Sequence, residues 1–302
     1  MKHMQTNNIS IDPVENEATF QKKVQLDILR LDKMHPVVSG NKWFKLQYYI
    51  QDALSKGFHS LLTFGGAYSN HIAAAAYAAN EYRLKTVGVI RGEEPQQWSH
   101  TLQEAAASHM QFAFLPRNEY DAVKRNACSS KLEQQFGKVY VIPEGGFGPL
   151  GMQGAANILR ITDTSTYTHI VAAVGTGTTI SGIIQATGAH QQITGISAMK
   201  HTFSLNDEIQ SLLNTPLPGR FRLVHDYHFG GYAKYTPALT AFMNTFYHTT
   251  NIPLDFVYTA KMMYGIFDLM GKDFFPPWSR ILAIHSGGLQ GNRSLKPGVL
   301  VF

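Results

Sequence analysis

Residues 39–46 read Ser-Gly-Asn-Lys-Trp-Phe-Lys-Leu, and this stretch decides how the rest of the chain is interpreted. The Ser-Gly-Asn turn can bend the chain, and Ser39 or Asn41 could cap a following helix by accepting backbone N–H bonds. Lys42 would then project from a rigid first helical turn. A lysine in that position becomes a carbonyl-trapping amine if its surroundings lower its pKa.

Lys45 lies three residues after Lys42, on the same face of the predicted helix. Two like charges stacked there are unfavourable unless an anion lies near them. The alternative is a pair of solvated surface lysines, because long charged side chains are usually exposed. The remaining motifs of the chain favour the first interpretation.

The composition is that of a folded enzyme. The 302 residues are 44% hydrophobic and 16% charged, which argues against disorder. The formal net charge is +5, and the charges are scattered without a run of five or more. This pattern argues against a nucleic-acid partner and suits an anionic small substrate.

The single cysteine, Cys128, excludes an internal disulfide and offers no zinc site with a second thiol. Residues 1–20 have no apolar core of a signal peptide, and no window approaches 18 consecutive apolar residues. We therefore expect a cytoplasmic protein without a membrane span and without a metal.

Strand and helix patterns alternate along most of the chain, which is typical of parallel βαβ units with helices on both sheet faces. Strands are predicted over residues 24–31, 60–64, 86–90, 112–115, 138–142, 168–174, 193–198 and 281–285, and helices over 43–54, 70–79, 99–109, 121–136 and 180–187. Gly/Pro-rich stretches at 143–151 and 216–219 interrupt this alternation. We expect two α/β lobes whose strand-end loops line a ligand-binding cleft.

The loop Gly175-Thr176-Gly177-Thr178-Thr179 joins a buried strand to a helix. Free N–H groups at a helix N-terminus bind anions, and glycines let a phosphate approach the backbone. The loop lacks the third glycine of the dinucleotide fingerprint and the Gly-Lys-Ser/Thr of a Walker A loop. It suits a monophosphate; the alternative is an ordinary turn.

Three further places carry candidate chemistry. Residues 64–71, Phe-Gly-Gly-Ala-Tyr-Ser-Asn-His, put Ser69, Asn70 and His71 at a helix start, where the first two could instead be caps and His71 could be structural. Ser286 follows a buried strand and precedes paired glycines, so it could bind a ring nitrogen or a carboxylate. Tyr232 and Tyr258 offer hydroxyls on rigid rings, although ordinary packing would explain each of them alone.

A poised lysine, a phosphate cradle and a polar strand end together indicate pyridoxal phosphate. This cofactor needs an amine for its aldehyde, an anion site and a partner for its ring nitrogen.

With these residues in place, the chain resembles the fold-type II pyridoxal-phosphate enzymes, in the branch of D-cysteine desulfhydrases and 1-aminocyclopropane-1-carboxylate deaminases. The resemblance spans nearly the whole chain and rests on five motifs: Ser-Gly-Asn-Lys-x-x-Lys-Leu at 39–46, Gly-Gly-x-x-Ser-Asn-His at 65–71, the loop 175–179, Val-Tyr-x-x-Lys at 257–261 and His-Ser-Gly-Gly at 285–288.

The resemblance implies two open, twisted, mostly parallel sheets flanked by helices, as in tryptophan synthase β. It implies a large cofactor-binding domain of residues 1–44 and 154–302, a small domain of 45–153, and a homodimer. The implied cofactor residues are the Schiff-base Lys42, Lys45 and 175–179 on the phosphate, and Asn70 on the phenolic oxygen; we predict Ser286 as a further cofactor residue. The resemblance places Ser69, Tyr232 and Tyr258 around the substrate, and we also predict Asn70, His71 and Thr259 there.

Two positions separate the branches of this family. The deaminases carry a glutamate after the second substrate tyrosine and a leucine between the histidine and the paired glycines. This chain has Thr259 and Ser286 there, as desulfhydrase-like members do. The pair Ala67-Tyr68 and the pair Ala73-Ala74 depart from the family pattern.

The sequence therefore predicts a pyridoxal-phosphate lyase that acts on a small amino acid, with D-cysteine giving pyruvate, sulfide and ammonia. Ring-opening 1-aminocyclopropane-1-carboxylate deamination on the same scaffold is the second hypothesis. A non-catalytic binder of a phosphate ligand is the third.

Overall fold

The computed structural model describes residues 8–35, 37–38, 40–125, 130–200 and 204–302. The predicted cap at Ser39 falls outside these ranges, and so does Cys128.

The described chain contains short strands and helices in alternation. The strands are β1 (Ile11–Pro13), β2 (Gln25–Arg30), β3 (Ser60–Gly65), β4 (Lys85–Arg91), β5 (Met110–Leu115), β6 (Tyr140–Ile142), β7 (His169–Val174), β8 (Gln192–Ser197), β9 (Phe221–Val224) and β10 (Arg280–His285). The helices are α1 (Glu17–Gln21), α2 (Asn41–Ser55), α3 (Asn70–Glu81), α4 (His100–Ala107), α5 (Arg117–Arg125), α6 (Ser130–Phe136), α7 (Pro149–Ala156), α8 (Thr178–Ala186), α9 (Leu205–Leu212), α10 (Pro237–Thr250) and α11 (Thr259–Gly271). Within the described ranges, no helix is long and apolar enough to cross a membrane.

The chain divides into two compact units. One comprises residues 42–154, and the other comprises the described residues 8–41 together with 155–302. These boundaries lie after residues 41 and 154, whereas the sequence predicted them after residues 44 and 153. The roles given to the two domains stay a prediction.

The second unit contains a six-stranded sheet in the order β1-β2-β10-β7-β8-β9. All neighbours in it pair in parallel except β1, which lies antiparallel to β2 at the edge. The carboxyl ends of β2, β10 and β7 therefore lie side by side at one edge of the sheet. The segments that follow these three strands carry the Gly40-Asn41 turn, Ser286 and the 175–179 loop.

The first unit contains a four-stranded parallel sheet in the order β5-β4-β3-β6. The segment after β3 leads to Ser69, Asn70 and His71, and the segment after β6 leads to a glycine turn at 145–146. Both segments leave the same edge of this sheet, because parallel strands end together.

The burial pattern follows from the side chains. Every residue of β7 is buried, as expected for a strand covered on both faces. In α3, Ala73 and Ala74 are almost fully buried, and α3 packs against β3, β4 and α4. The small alanine side chains let α3 pack closely against these elements.

Some elements of the structure lack a clear sequence signal. The edge strand β1 is three residues long and ends at Pro13, which is tolerated at a sheet edge. The helices α7, α9, α10 and α11 and the strand β9 were not predicted. The predicted helix 121–136 corresponds to α5 and α6, and residues 126–129 lie outside the described ranges.

Candidate active site

The turn before Lys42 is held against the end of β10. Gly40 adopts the left-handed conformation, with φ of +70°, and a Cβ there would overlap the carbonyl oxygen of Ser286. The backbone N–H of Asn41 donates to that same oxygen at 3.2 Å, and the N–H of Gly40 donates to Leu31 O at 2.9 Å. Only glycine allows this close backbone approach.

Asn41 also links this turn to the 175–179 loop. Its buried side-chain Nδ2 donates to the hydroxyl oxygen of Thr179 at 2.8 Å. The structure places Asn41 as the first residue of α2 itself. One residue thus joins the segment that precedes Lys42, the end of β10 and the first turn of α8.

The loop 175–179 has the geometry of an anion site. Gly177 takes the N-cap position of α8 in the left-handed conformation, and among the described residues no side chain caps this helix end. The first N–H groups of α8 are therefore available to a ligand. The hydroxyl oxygens of Thr176 and Thr178 lie 3.2 Å apart, with Thr176 exposed and Thr178 fully buried.

The two substrate tyrosines of the prediction meet beside this loop. A Cβ at Gly175 would lie 3.0 Å from the ring carbon Cε1 of Tyr258. The Tyr258 ring is half-buried and contacts the ring of Tyr232 edge to face, with centroids 6.1 Å apart. Tyr232 is 46% exposed. The second unit thus brings Gly175, both tyrosines and the 175–179 loop together.

Thr259 is held by a carboxylate at the start of α11, and its contact with the substrate stays a prediction. It is fully buried, and its hydroxyl donates to Asp255 Oδ1 at 2.7 Å. The Asp255 carboxylate also accepts the backbone N–H groups of Val257, Tyr258 and Thr259, at 2.8–2.9 Å. These contacts give Thr259 a structural role at the start of α11.

His285, the residue before Ser286, belongs to a buried polar network with Asp32 and Arg30. The imidazole Nε2 of His285 donates to Pro253 O at 2.8 Å, and Nδ1 lies 3.2 Å from Asp32 Oδ1. Arg30 binds both oxygens of Asp32, at 2.8 and 2.6 Å. Although burial raises the pKa of Asp32, the charges of His285 and Arg30 outweigh it and hold that pKa below its usual range. His285 lies in a motif quoted above, but its partner Asp32 had no sequence signal.

In the first unit, Lys45 is a buried lysine. It is 3% exposed, so the solvated-lysine interpretation is wrong for this residue. Burial and then the nearby charge of Lys42 hold the pKa of Lys45 well below its ordinary value. A Cβ at Gly146 would lie 3.2 Å from the Lys45 Cβ, so this glycine leaves room for the lysine stem.

His71 is fixed in one tautomer by its neighbours. The Thr63 hydroxyl donates to Ile142 O at 2.9 Å, so its oxygen accepts from His71 Nε2 at 2.8 Å. Burial, then the charges of Lys45 and Lys42, lower the pKa of His71 well below its ordinary value. The ring is therefore neutral, and Nδ1 is a buried acceptor without a partner among the described residues.

Ser69 and Asn70 offer polar groups beside His71. Ser69 takes the N-cap position of α3, but in the described chain its side chain makes no capping bond. The Oδ1 atom of Asn70 is buried and has no hydrogen-bond partner among the described residues. An unpartnered buried amide is costly unless a bound group completes its hydrogen bonds.

The family comparison identifies the group that these features fit. The family model described as "Pyridoxal-phosphate dependent enzyme" matches residues 11–287. The chain belongs to this family. Its cofactor is pyridoxal 5′-phosphate.

Relatives of similar length support the assignment. A putative 1-aminocyclopropane-1-carboxylate deaminase of Pyrococcus horikoshii is 30% identical over 92% of this chain and 90% of its own length. A bifunctional D-cysteine desulfhydrase/1-aminocyclopropane-1-carboxylate deaminase of Arabidopsis thaliana is 30% identical over 88% of this chain and 73% of its own. The protein is therefore a pyridoxal-phosphate enzyme of the family that includes these two activities.

Solved structures agree with the predicted fold. The crystal structure of an ACC deaminase homologue superimposes with a TM-score of 0.81 and 26% identity, covering 96% of this chain and 92% of that one. A threonine deaminase of Solanum lycopersicum, at 18% identity and a TM-score of 0.65, shares the fold. The predicted fold class, two mostly parallel sheets flanked by helices in a fold-type II enzyme, is confirmed.

The residues present fit this cofactor. In the second unit, the uncapped N-terminus of α8 suits a phosphate. In the first unit, Lys45 is a buried amine that a bound anion would stabilise, and the buried Asn70 Oδ1 could accept a hydrogen bond from a bound group. Within the described ranges, no group of three or more His, Cys, Asp or Glu residues is placed to hold a metal ion.

We predict that Gly40→Ala destabilises the enzyme far more than Gly57→Ala. Both glycines have φ near +70°, but only Gly40 faces a backbone atom, and nothing lies within 4 Å of a Cβ at Gly57. Each variant loses about 1–2 kcal/mol from the left-handed backbone, and Gly40→Ala loses a further ~1–3 kcal/mol from overpacking. Urea unfolding measures both, and equal losses would contradict the close approach at Ser286.

We predict that Lys45→Met raises the stability of the cofactor-free protein but weakens cofactor binding. A buried lysine with a lowered pKa destabilises the fold fully below that pKa. The effect diminishes as pH rises toward the unfolded value of about 10.4. The Tm advantage of Lys45→Met should therefore shrink between pH 7 and pH 10.

The loss of one charge-assisted bond to the phosphate should weaken cofactor affinity about 10- to 100-fold. Fluorescence titration of the cofactor-free protein measures this affinity. The exposed variant Lys56→Met is the control, since its ion pair with Asp52 lies at the surface of the same unit. Unchanged affinity in Lys45→Met would rule out a phosphate contact.

Proposed function

We propose that this enzyme eliminates the β-substituent of a small amino acid, with D-cysteine as its substrate and pyruvate, sulfide and ammonia as products. The observation that carries this proposal is the pair of hydroxyl residues at positions 259 and 286, where the deaminase branch carries a glutamate and a leucine. The bifunctional Arabidopsis relative is named for this activity as well as for the deaminase.

Each cofactor contact is assigned from the motifs. Lys42 would hold the cofactor through its aldehyde carbon. Lys45 and the N–H groups and hydroxyls of 175–179 would bind the phosphate. The Asn70 amide would donate to the phenolic oxygen, and the Ser286 hydroxyl would bind the ring nitrogen. A neutral hydroxyl at that nitrogen does not enforce ring protonation, which favours elimination over transamination.

When bound, the cofactor would supply an electron sink that makes the proton on the substrate Cα acidic. Lys42 or Ser69 removes that proton, since an amine or a hydroxyl at this place can exchange it. The carbon–sulfur bond then breaks, and Tyr232 or Tyr258 donates a proton to the departing sulfur. Water releases ammonia from the remaining fragment, which leaves pyruvate.

The surroundings of Thr259 support elimination over ring opening. Its hydroxyl lies 2.7 Å from the Asp255 carboxylate, in a site without solvent exposure. A glutamate at position 259 would bring a second carboxylate against Asp255, and two buried like charges repel strongly. Position 259 of this chain therefore supplies no acid or base to a cyclopropane ring.

Ring opening of 1-aminocyclopropane-1-carboxylate is the second candidate. Several relatives are named as that deaminase, including one of Thermotoga maritima at 31% identity over 92% of this chain and 94% of its own length. The third hypothesis, a binder without turnover, is disfavoured by the intact Lys42, Asn70 and 175–179 motifs. A homodimer stays a prediction from the resemblance, and a cytoplasmic location stays a prediction from the sequence composition.

We predict that borohydride reduction of the purified enzyme attaches the cofactor to Lys42 alone. A fixed amine beside the aldehyde forms a reducible link, and peptide mass mapping locates the label. Lys42→Ala should lose both the label and the visible absorption of the bound cofactor. Labelling of another lysine, or none at all, would remove the basis of the proposed chemistry.

We predict that D-cysteine is turned over at least ~10-fold more efficiently, as kcat/KM, than 1-aminocyclopropane-1-carboxylate; this difference corresponds to about 1.4 kcal/mol in transition-state binding. Pyruvate and sulfide report the first reaction, and 2-oxobutanoate reports the second. L-cysteine, both serine enantiomers and the β-chloro analogues complete the panel.

The outcomes of this panel separate the hypotheses. A reversed ranking identifies the deaminase, and binding of every amino acid without product supports the non-catalytic binder. Turnover of L-cysteine in preference to D-cysteine keeps the elimination but overturns the assigned enantiomer.

A further inference from the structure

Lys261 is a fully buried lysine that the proposed chemistry does not use. It lies in the first turn of α11, three residues after Tyr258. Its Nζ donates to Gly231 O at 2.7 Å and approaches Ala198 O at 3.4 Å. In the described part of the chain, no carboxylate lies within ion-pair distance of this amine.

Burial of the Lys261 amine costs desolvation free energy, so the residue needs a specific role to explain its presence. Burial lowers the pKa of Lys261 to about 8, and the charge of Asp255 opposes that shift. An apolar side chain of similar length would fill the space without desolvating a cation. The presence of Lys261 is therefore explained by its hydrogen bond to the Gly231 carbonyl.

That carbonyl belongs to a turn that the backbone alone does not favour. Gly230 and Gly231 have φ of +94° and +112°, and the flanking Phe229 and Ala233 also have positive φ. The N–H of Gly231 donates to His228 O at 2.9 Å. A turn with so many left-handed residues persists only where surrounding contacts determine it.

Tyr232 is the residue that this turn presents. It follows Gly231 directly, and its exposed ring lies edge to face on Tyr258 at 6.1 Å. Lys261 thus connects the turn that carries Tyr232 to α11, the helix that begins directly after Tyr258.

We propose that Lys261 is a positioning residue, which sets Tyr232 against Tyr258 by holding the Gly231 carbonyl. The inference rests on the proposed function, in which the two tyrosines contact the substrate. Lys261 itself touches neither the substrate nor the cofactor.

The experiment is a double-mutant cycle in the holoenzyme with Lys261→Met and Tyr232→Ala. Lys261→Met should raise KM for the amino acid about 10- to 100-fold, the effect of one charge-assisted hydrogen bond. The visible absorption of the cofactor and the borohydride label at Lys42 should change little. In the Tyr232→Ala background, Lys261→Met should change KM less than twofold, because both changes disrupt the same element.

Lys272→Met is the matched control, since Lys272 lies directly after α11 in a solvent-exposed pair with Asp268. It should leave KM unchanged. Lys261→Gln retains a donor without the charge and should recover part of the loss. If Lys261→Met does not fold, the same cycle is run with Lys261→Gln.

The dissociation constant of the amino acid is also measured from the change in cofactor absorption, so the cycle does not depend on turnover. Failure of the proposed function appears as wild-type binding without product. Additive effects in the cycle, an unchanged KM in Lys261→Met, or loss of cofactor absorption would each overturn the role of Lys261.

Discussion

Asn41 makes the two hydrogen bonds on which the organisation of the second unit's binding elements depends. Its N–H binds the Ser286 carbonyl, and its side chain binds the Thr179 hydroxyl. The three segments joined in this way follow β2, β10 and β7, which are neighbours in the sheet. The first bond forms only because Gly40 has no Cβ. The position of Asn41, the residue before Lys42, is therefore fixed by segments that leave the carboxyl edge of the sheet.

Buried titratable side chains show where this protein gives up stability for binding. Lys45 and His71 lie in the first unit with their pKa values lowered by burial, and His71 also keeps an unpartnered Nδ1. Lys261 lies in the second unit on two backbone carbonyls. A stable core would use apolar residues at all three positions. Their presence is explained by a ligand that supplies the missing charge or by a turn that must be held.

Much of the fold was accessible from the sequence because buried parallel strands have a distinct pattern. The apolar runs at 60–64 and 168–174 and their glycine turns lie where they were predicted, and the alternation with helices indicated a parallel sheet. The weak elements had no such signal. β1 is too short to show a period. α11 is buried on a wide face, so periodicity does not separate it from an apolar strand.

The sequence by itself determined the fold class, the cofactor and the segments that carry candidate chemistry, because turn glycines, lysines and hydroxyl residues have fixed chemical uses. The tertiary structure alone decided which partners those residues take. It assigned Thr259 to Asp255, Nε2 of His71 to Thr63, and Lys261 to the Gly231 carbonyl. Thr259 and Asp255 are neighbours in one turn. The other two contacts join residues from separate elements, so they follow from sheet order and packing rather than from local sequence.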